Sequence, residues 1–309
     1  MIYDCCTFFN EYDLLDVRLN VLSKVVDKFV IVEANKTFSG MSKPFNFENN
    51  KKMFENFLDD IIYIKVEDMP KSDDYWEREY FQRNQIVKGL VNLNDDDIII
   101  ISDCDEIPDP SMITSNIDDN KIYMFQQKLF YYYFNLQSFN FQQIPTYTHG
   151  TAFLKYKYLR TITPQVVRNI VAKEYHKCYA LDGGWHFSFI NSIDNIKNKI
   201  ESFSHKEYSN PLVINNLENK VRNLEDIFDR NYIYHIISND ILPQYIVNNK
   251  KFKKYFLEEN IEKQKYGIIK DTENNYNYAT QFSSLKNLFI DDDKGKISDK
   301  WELYINGAK

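Results

Sequence analysis

Three carboxylates, Asp103, Asp105 and Glu106, follow directly on four isoleucines in the run DDDIIIISDCDEIPDP at residues 95–110. Residues 98–101 are β-branched and apolar on both faces, the pattern of a central strand covered on both sides in a parallel sheet. Carboxylates at the end of such a strand face a ligand, because the binding crevice of an open α/β sheet lies beyond the carboxyl ends of its strands. Side chains two apart on a strand point the same way, so Asp103 and Asp105 are expected to hold one hard divalent cation through oxygen ligands. A metal-bound diphosphate suits that chemistry. Read alone, the run is also an acidic turn punctuated by Pro108 and Pro110, and a D-x-D pattern is common in acidic chains.

The surrounding elements must place those acids. Residues 2–9 read as a first strand, and Asn10 with Asp13 three residues on marks a helix start, followed by Leu15, Leu19, Leu22 and Val26 at helical spacing. Residues 29–33 and 61–66 read as further strands, and residues 76–93 as a helix leading into the isoleucine strand. Strands alternating with helices predict a parallel sheet. Beyond Pro110, residues 121–134, 150–156 and 185–190 are strand-like. Ile193, Ile196, Ile200 and Phe203, then Leu217, Val221, Leu224 and Phe228, keep helical spacing. A helix is expected over residues 252–265, with a looser tail behind it.

At 309 residues with 43% hydrophobic and 27% charged positions, the chain has the composition of a globular protein with a core that needs no staples. A net charge of -7 excludes a general nucleic-acid binder, whose affinity rests on clustered Lys and Arg. Four cysteines, with Cys5 and Cys6 adjacent and Cys104 between the aspartates, form no disulfide framework and point to a reducing, cytoplasmic setting. No run approaches the roughly 18 to 20 apolar residues of a membrane span, and the N-terminus lacks the layout of a signal peptide. Lys250, Lys251, Lys253 and Lys254 could touch an anionic membrane surface, although such a patch more often forms a solvated helix face.

Longer strings carry a resemblance. REYFQRN on a helix precedes the acidic strand, an order that resembles GT-A glycosyltransferases. FFNEYDLLDVRLNVL, DKFVIVEANKTFSGMSKP, ISDCDEIPDP, GGWHFSF, SFSHKEY and LPQYIVNNKKF follow one another over residues 2–256. Together they resemble the β1,4-mannosyl-glycoprotein β1,4-N-acetylglucosaminyltransferases. The resemblance implies a GT-A-like, Rossmann-type mixed α/β sheet flanked by helices over residues 1–256. Residues 257–309 would then form a helical or irregular extension packed on the same domain. It further implies an inverting transfer of N-acetylglucosamine from UDP-GlcNAc to a glycan hydroxyl, with Mn²⁺ or Mg²⁺ on the donor diphosphate. Animal members carry an N-terminal membrane helix and stem that this sequence lacks, so a microbial or viral enzyme acting on another glycoconjugate is expected.

Residue roles follow from the same resemblance, each beside a plainer reading. Asp105 would bind the metal, with Asp103 sharing the ion or holding the ribose. Glu33 would receive the nucleoside or form a solvated strand end. Arg83, and after it Arg78, would grip the diphosphate, or Arg83 would pair with Glu79 on a helix surface. Asp182 would be the general base, or a turn residue before Gly183 and Gly184. His186, or else His205, would supply a third metal position; His186 also reads as a core histidine. Trp185 would stack on an acceptor sugar or fill the core. Glu207 is an acceptor-side residue and reserve base, and Tyr131 to Phe134 form an acceptor platform or core. Two rival classes remain: a catalytically inactive carbohydrate-binding protein, and a metal-dependent nucleotidyl- or phosphotransferase, for which no G-x-x-x-x-G-K-[ST] loop is present.

Overall fold

The computed structural model describes residues 1–258 and the backbone of 268–270 and 277–279. The chain divides into a unit of Met1–Phe256 and a unit of Leu257–Lys309. The first unit begins with β1 (Ile2–Thr7), α1 (Tyr12–Leu22), β2 (Lys28–Ala34), α2 (Asn46–Asn50), β3 (Ile61–Val66), α3 (Tyr75–Asn84) and β4 (Ile98–Asp103). It continues through β5 (Glu106–Ile107), β6 (Tyr123–Tyr131), β7 (Leu136–Phe139), β8 (Tyr147–Thr148), β9 (Ala152–Lys155), α4 (Pro164–Lys173) and β10 (Tyr179–Ser188). It ends with α5 (Ile193–Ser202), α6 (Pro211–Arg222), β11 (Ile233–Ile236) and α7 (Gln244–Asn248). In the second unit, β12 (Ile268–Lys270) and β13 (Asn277–Ala279) pair antiparallel.

The parallel sheet expected from the sequence accounts for four of the eleven strands that form the main sheet among the described residues. β4, β1, β2 and β3 lie parallel in that order, with Thr7 level with Asp103 and Val32. β9 then joins β4 antiparallel, and β6, β7 and β11 continue the path, so the sheet is mixed. β10 runs parallel to β6 and antiparallel to β5, which sets His186 opposite Glu106. Ile98 and Ile100 enter one core with Leu15, Leu19 and Phe8, while Ile99 and Ile101 enter the other with Val30, Val32 and Ile86. Burial on both faces is why the strand reads as an unbroken apolar run.

Local details depart from the sequence reading where tertiary contacts outbid local signals. Glu11, rather than Asn10, occupies the start of α1, and its Oε2 accepts from the N–H groups of Phe9 and Asn10. α3 stops at Asn84 and tightens into a 3₁₀ turn over Gln85–Gly89, where a Cβ on Gly89 would meet Val30. Leu224 and Phe228 lie past the end of α6. Asp182, Gly183 and Gly184 lie within β10, where Gly184 takes a φ of +105° against the backbone of Ile107 to Asp109. The expected helix over 252–265 begins as a 3₁₀ segment, Lys250–Tyr255, and its remainder falls outside the described residues beyond 258. Lys251 and Lys254 from that segment pair with Asp13, and Lys251 also with Asp16, on α1.

One buried cation ties these parts together. Arg18 on α1 is fully buried, and its Nε and Nη2 donate to both oxygens of Asp4 on β1. Its Nη1 donates to the carbonyls of Asp103, at 3.1 Å, and Glu106, at 2.7 Å, so it grips both ends of the acidic turn from beneath. Removing one partner leaves a buried charge unpaired, at a cost of about 3 to 5 kcal/mol. Arg18→Met is expected to lower the unfolding free energy read from urea titration by that amount, while a loss under 1 kcal/mol would show the pair to be dispensable.

Candidate functional site

The carboxyl ends of β1, β4 and β10 open into a cleft of about 820 Å³, walled by α3, α4 and α5. Seven Lys and Arg side chains line it against five Asp and Glu, whereas the whole chain carries a net charge of -7. Lys43 and Arg230 are already paired with Glu33 and Asp226 outside the lining, so the wall charges balance and the cleft is a dense set of ion pairs at the strand ends.

Asp103 ends its strand between two guanidinium groups. Arg83 of α3 reaches Asp103 Oδ1 at 2.9 Å and Glu79 at 2.8 Å, and also donates to Gln165. Arg168 of α4 donates to Asp103 Oδ2 at 2.9 Å and takes both oxygens of Glu106, at 2.7 and 2.9 Å. Glu106 in turn accepts from the Asp103 N–H at 3.0 Å. Burial opposes the Asp103 charge, yet Arg168 and Arg83 hold its carboxyl far below the usual carboxylate range. Gly150 makes this packing possible, because a Cβ there would run into both Glu106 and Arg168. Among the described residues, Arg83 Nε is buried at the cleft without a hydrogen-bond partner.

Asp105 takes different partners. The strand ends at Asp103, so the two-residue period no longer applies to the turn that carries Asp105. Lys199 of α5 donates to Asp105 Oδ2 at 2.8 Å and also pairs with Glu11 Oε1 at 3.2 Å. Burial raises the Asp105 pKa, but Lys199 and His186 bring it below the ordinary value. His186 Nε2 faces Asp105 Oδ1 at 3.7 Å, beyond hydrogen-bond length, while its Nδ1 lies 3.2 Å from the Thr148 hydroxyl. Among the described residues no group of three or more His, Cys, Asp or Glu converges as a metal site. The carboxylate and imidazole pair is nonetheless chemically suited to Mn²⁺ or Mg²⁺, which commonly fill their remaining positions with water and substrate phosphate.

The cleft gathers Asp103, Asp105, Arg83, His186 and His205 from the residues singled out by sequence, and Tyr131 joins them. Others lie elsewhere. The Glu33 carboxylate is fully buried and already accepts from Lys43, Asn46 N, Phe47 N and Tyr63, which leaves no lone pair turned toward a nucleoside. Arg78 staples the carbonyls of Phe38 and Ser72 beside Gly40. Trp185 is buried in the core and donates to Ile241 O at 2.8 Å. Asp182 is exposed and does not line the cleft, and Glu207 reaches it only through His205 Nδ1, 2.8 Å away. Sequence reading missed Arg168, Lys199 and Glu11. A signal existed for two of them: Arg168 falls in the stripe of Pro164, Val167 and Val171, and Lys199 in that of Ile196, Ile200 and Phe203, so each is a cation on a buried helix face.

Fold and site together define a Rossmann-like α/β protein with a charged ligand cleft at its strand ends. The profile of glycosyltransferase family 17 matches residues 1–268, and the chain belongs to that family of sugar-transferring enzymes. It is similar to the β-1,4-mannosyl-glycoprotein 4-β-N-acetylglucosaminyltransferases of Homo sapiens and Mus musculus, 36% identical over 107 residues, 32% of this chain and 20% of each relative. The match therefore spans about a fifth of those relatives' length. Among solved structures, a Francisella tularensis 2-C-methyl-D-erythritol 4-phosphate cytidylyltransferase matches 64% of this chain and 97% of its own, at 10% identity and a TM-score of 0.35. That similarity is too low to argue from.

The depressed Asp103 pKa has a consequence for acid stability. A carboxyl with a lowered folded-state pKa stabilises the fold above its unfolded value of about 3.9 and loses that contribution as pH falls toward the folded value. Stability of the wild type is therefore expected to drop below about pH 4, and Asp103→Asn to flatten that slope. Equal slopes in denaturation series at pH 7, 4 and 3 would remove Asp103 from the account.

Proposed function

We propose that this chain transfers N-acetylglucosamine from UDP-GlcNAc to a glycan hydroxyl with inversion, and that the β-mannosyl glycans in the relatives' name are the acceptor class to try first. The observation that carries this reading is the ring of Arg83, Arg168 and Lys199 around the Asp103–Glu106 turn in a chain of family 17. A leaving UDP develops negative charge on its diphosphate, and preorganised cations in a partly desiccated cleft stabilise it strongly. Arg83 Nε, buried and without a partner among the described residues, is a ready donor for a phosphate oxygen. Asp105 and His186 would hold Mn²⁺ or Mg²⁺, which when bound supplies Lewis-acid stabilisation of that oxygen charge.

The other end of the cleft suits a ring. Trp76, Tyr80 and Arg83 follow one face of α3, and its rise of about 1.5 Å per residue separates Trp76 from Arg83 by about 10 Å. Trp76 packs against His205 at 4.7 Å between ring centroids, and Tyr208 stacks on Phe228 at 4.2 Å. Flat aromatic faces there would take the nucleobase or the donor sugar while the charged end takes the diphosphate.

Thermal unfolding against a panel of nucleotide-sugars, with and without Mn²⁺, tests the reading. UDP-GlcNAc near 100 Kd is expected to add about 2.7 kcal/mol, or about 4 °C in Tm if the whole chain unfolds together. Asp105→Ala and His186→Ala should each erase the Mn²⁺-dependent part of that shift. No shift with any nucleotide-sugar would sink the proposal, and turnover of a nucleoside triphosphate without sugar would favour a nucleotidyltransferase.

A further inference from the structure

A second pocket, of about 560 Å³, shares one residue with the cleft, Glu11. The two cavities differ in character: ion pairs fill the first, and few charges line the second. Of the charged groups in the second pocket, Lys254 and Asp13 lie 3.5 Å apart, and Asp13 is further held by Lys251 at 2.9 Å and by the Tyr255 hydroxyl at 2.8 Å. The remaining charge is that of Glu11. Most of the other lining is neutral and hydrogen-bonding: the amides of Asn10, Asn191 and Asn195, the Ser192 hydroxyl and the rings of Tyr12 and Tyr133. The Tyr133 hydroxyl has no hydrogen-bond partner among the described residues, although its ring is half-buried. With Lys254 offset by Asp13, such a pocket offers an anion little, whereas amides, hydroxyls and tyrosine faces match the hydroxyls and apolar faces of a neutral sugar.

The backbone is built to separate the two cavities. β6 and β10 leave the sheet side by side, at Tyr132 with φ +62° and Phe189 with φ +56°, left-handed values that aromatic residues seldom take. Tyr132 N donates to Ser188 O at 3.2 Å and locks the pair of departures together. Before these points the strands turn Tyr131 and Ser188 toward the cleft; after them, Tyr133 and Ile190 line the second pocket. Strain of this kind persists where the surroundings enforce it, and it collects at functional sites.

Glu11 stands where a glycan in the second pocket would meet a donor in the cleft. Its Oε2 is fixed by two backbone N–H groups at 3.1 Å, and its Oε1 reaches the same Lys199 ammonium that binds Asp105. We propose that the second pocket is the acceptor subsite, that it takes a neutral oligosaccharide, and that Glu11 is the carboxylate that receives the proton of the attacking hydroxyl. This rests on the glycosyltransferase reading above. In the step, the acceptor oxygen bonds to the anomeric carbon as its proton passes to Glu11, and the bond from that carbon to the diphosphate breaks with its electron pair leaving on UDP. Glu11 is thus placed in the role for which Asp182 lies outside the cleft.

The test uses the full chain, with UDP and Mn²⁺ present, on an array of immobilised neutral and anionic glycans, followed by transfer from UDP-GlcNAc to the glycan bound best. Tyr133→Ala and Asn195→Ala are expected to weaken glycan binding at least about tenfold while the UDP-GlcNAc Kd stays within twofold. Glu11→Gln should keep both bindings and lose more than about a hundredfold in kcat, as expected for a general base. Glycan binding that survives both pocket substitutions, confinement of binding to anionic glycans, or absence of any binding would overturn the subsite. Wild-type turnover in Glu11→Gln would overturn the role of the carboxylate. A wild-type chain that fails to bind UDP-GlcNAc fails the glycosyltransferase reading instead, and the glycan array still decides the subsite.

Discussion

The Arg18 guanidinium reaches from α1 across β1 to the floor of the acidic turn, and its burial makes every one of its bonds obligatory. A charge removed from water must be paired and hydrogen-bonded or it destabilises the fold. Asp4 supplies the pairing through two oxygens, the carbonyls of Asp103 and Glu106 take both Nη1 donors, and the Ser102 hydroxyl accepts from Nη2. The turn is therefore held through its backbone carbonyls as well as through the ion pairs of its side chains. Its carboxylates are left to point upward, where their partners come from elsewhere in the chain.

Those partners arrive on three separate helices. Arg83 comes from α3, Arg168 from α4 and Lys199 from α5, and each meets an acid of the same four-residue turn. The ion pairs that organise the cleft thus also bind the helical layer to the sheet, so site and fold share their supports. Five wall cations not paired outside the cleft match its five acids, so charge is concentrated but balanced at the strand ends of a protein that is acidic as a whole. Gly150 serves the same arrangement by keeping its own side out of the space that Glu106 and Arg168 fill.

The legible parts of the sequence were those where local pattern and tertiary demand agree. The isoleucine run could only be a strand buried on both faces, and the carboxylates behind it had to emerge at a strand end. The family was legible too, because ordered strings such as REYFQRN and ISDCDEIPDP are specific in a way that a lone D-x-D is not. Individual roles were less legible. Glu33 and Trp185 sit in motifs that resemble a binding site, yet Glu33 caps the chain at Asn46 and Phe47, and Trp185 closes the core under Ile241. Arg168 and Lys199 carried a signal, a cation inside an apolar stripe, that local reading treats as a flaw in the pattern.

The sequence by itself determined the strand that carries the acids, the alternation that builds the parallel part of the sheet, and membership in glycosyltransferase family 17. These depend on side-chain periodicity and motif order, which are properties of neighbouring residues. Only the tertiary structure decided which charges meet: that Asp103 belongs to two arginines and Asp105 to a lysine, that Glu11 lies between two cavities, and that Asp182 lies away from both. Ion pairing in a desolvated cleft is set by distances of a few ångströms between residues tens to about a hundred positions apart, and no local pattern encodes such distances.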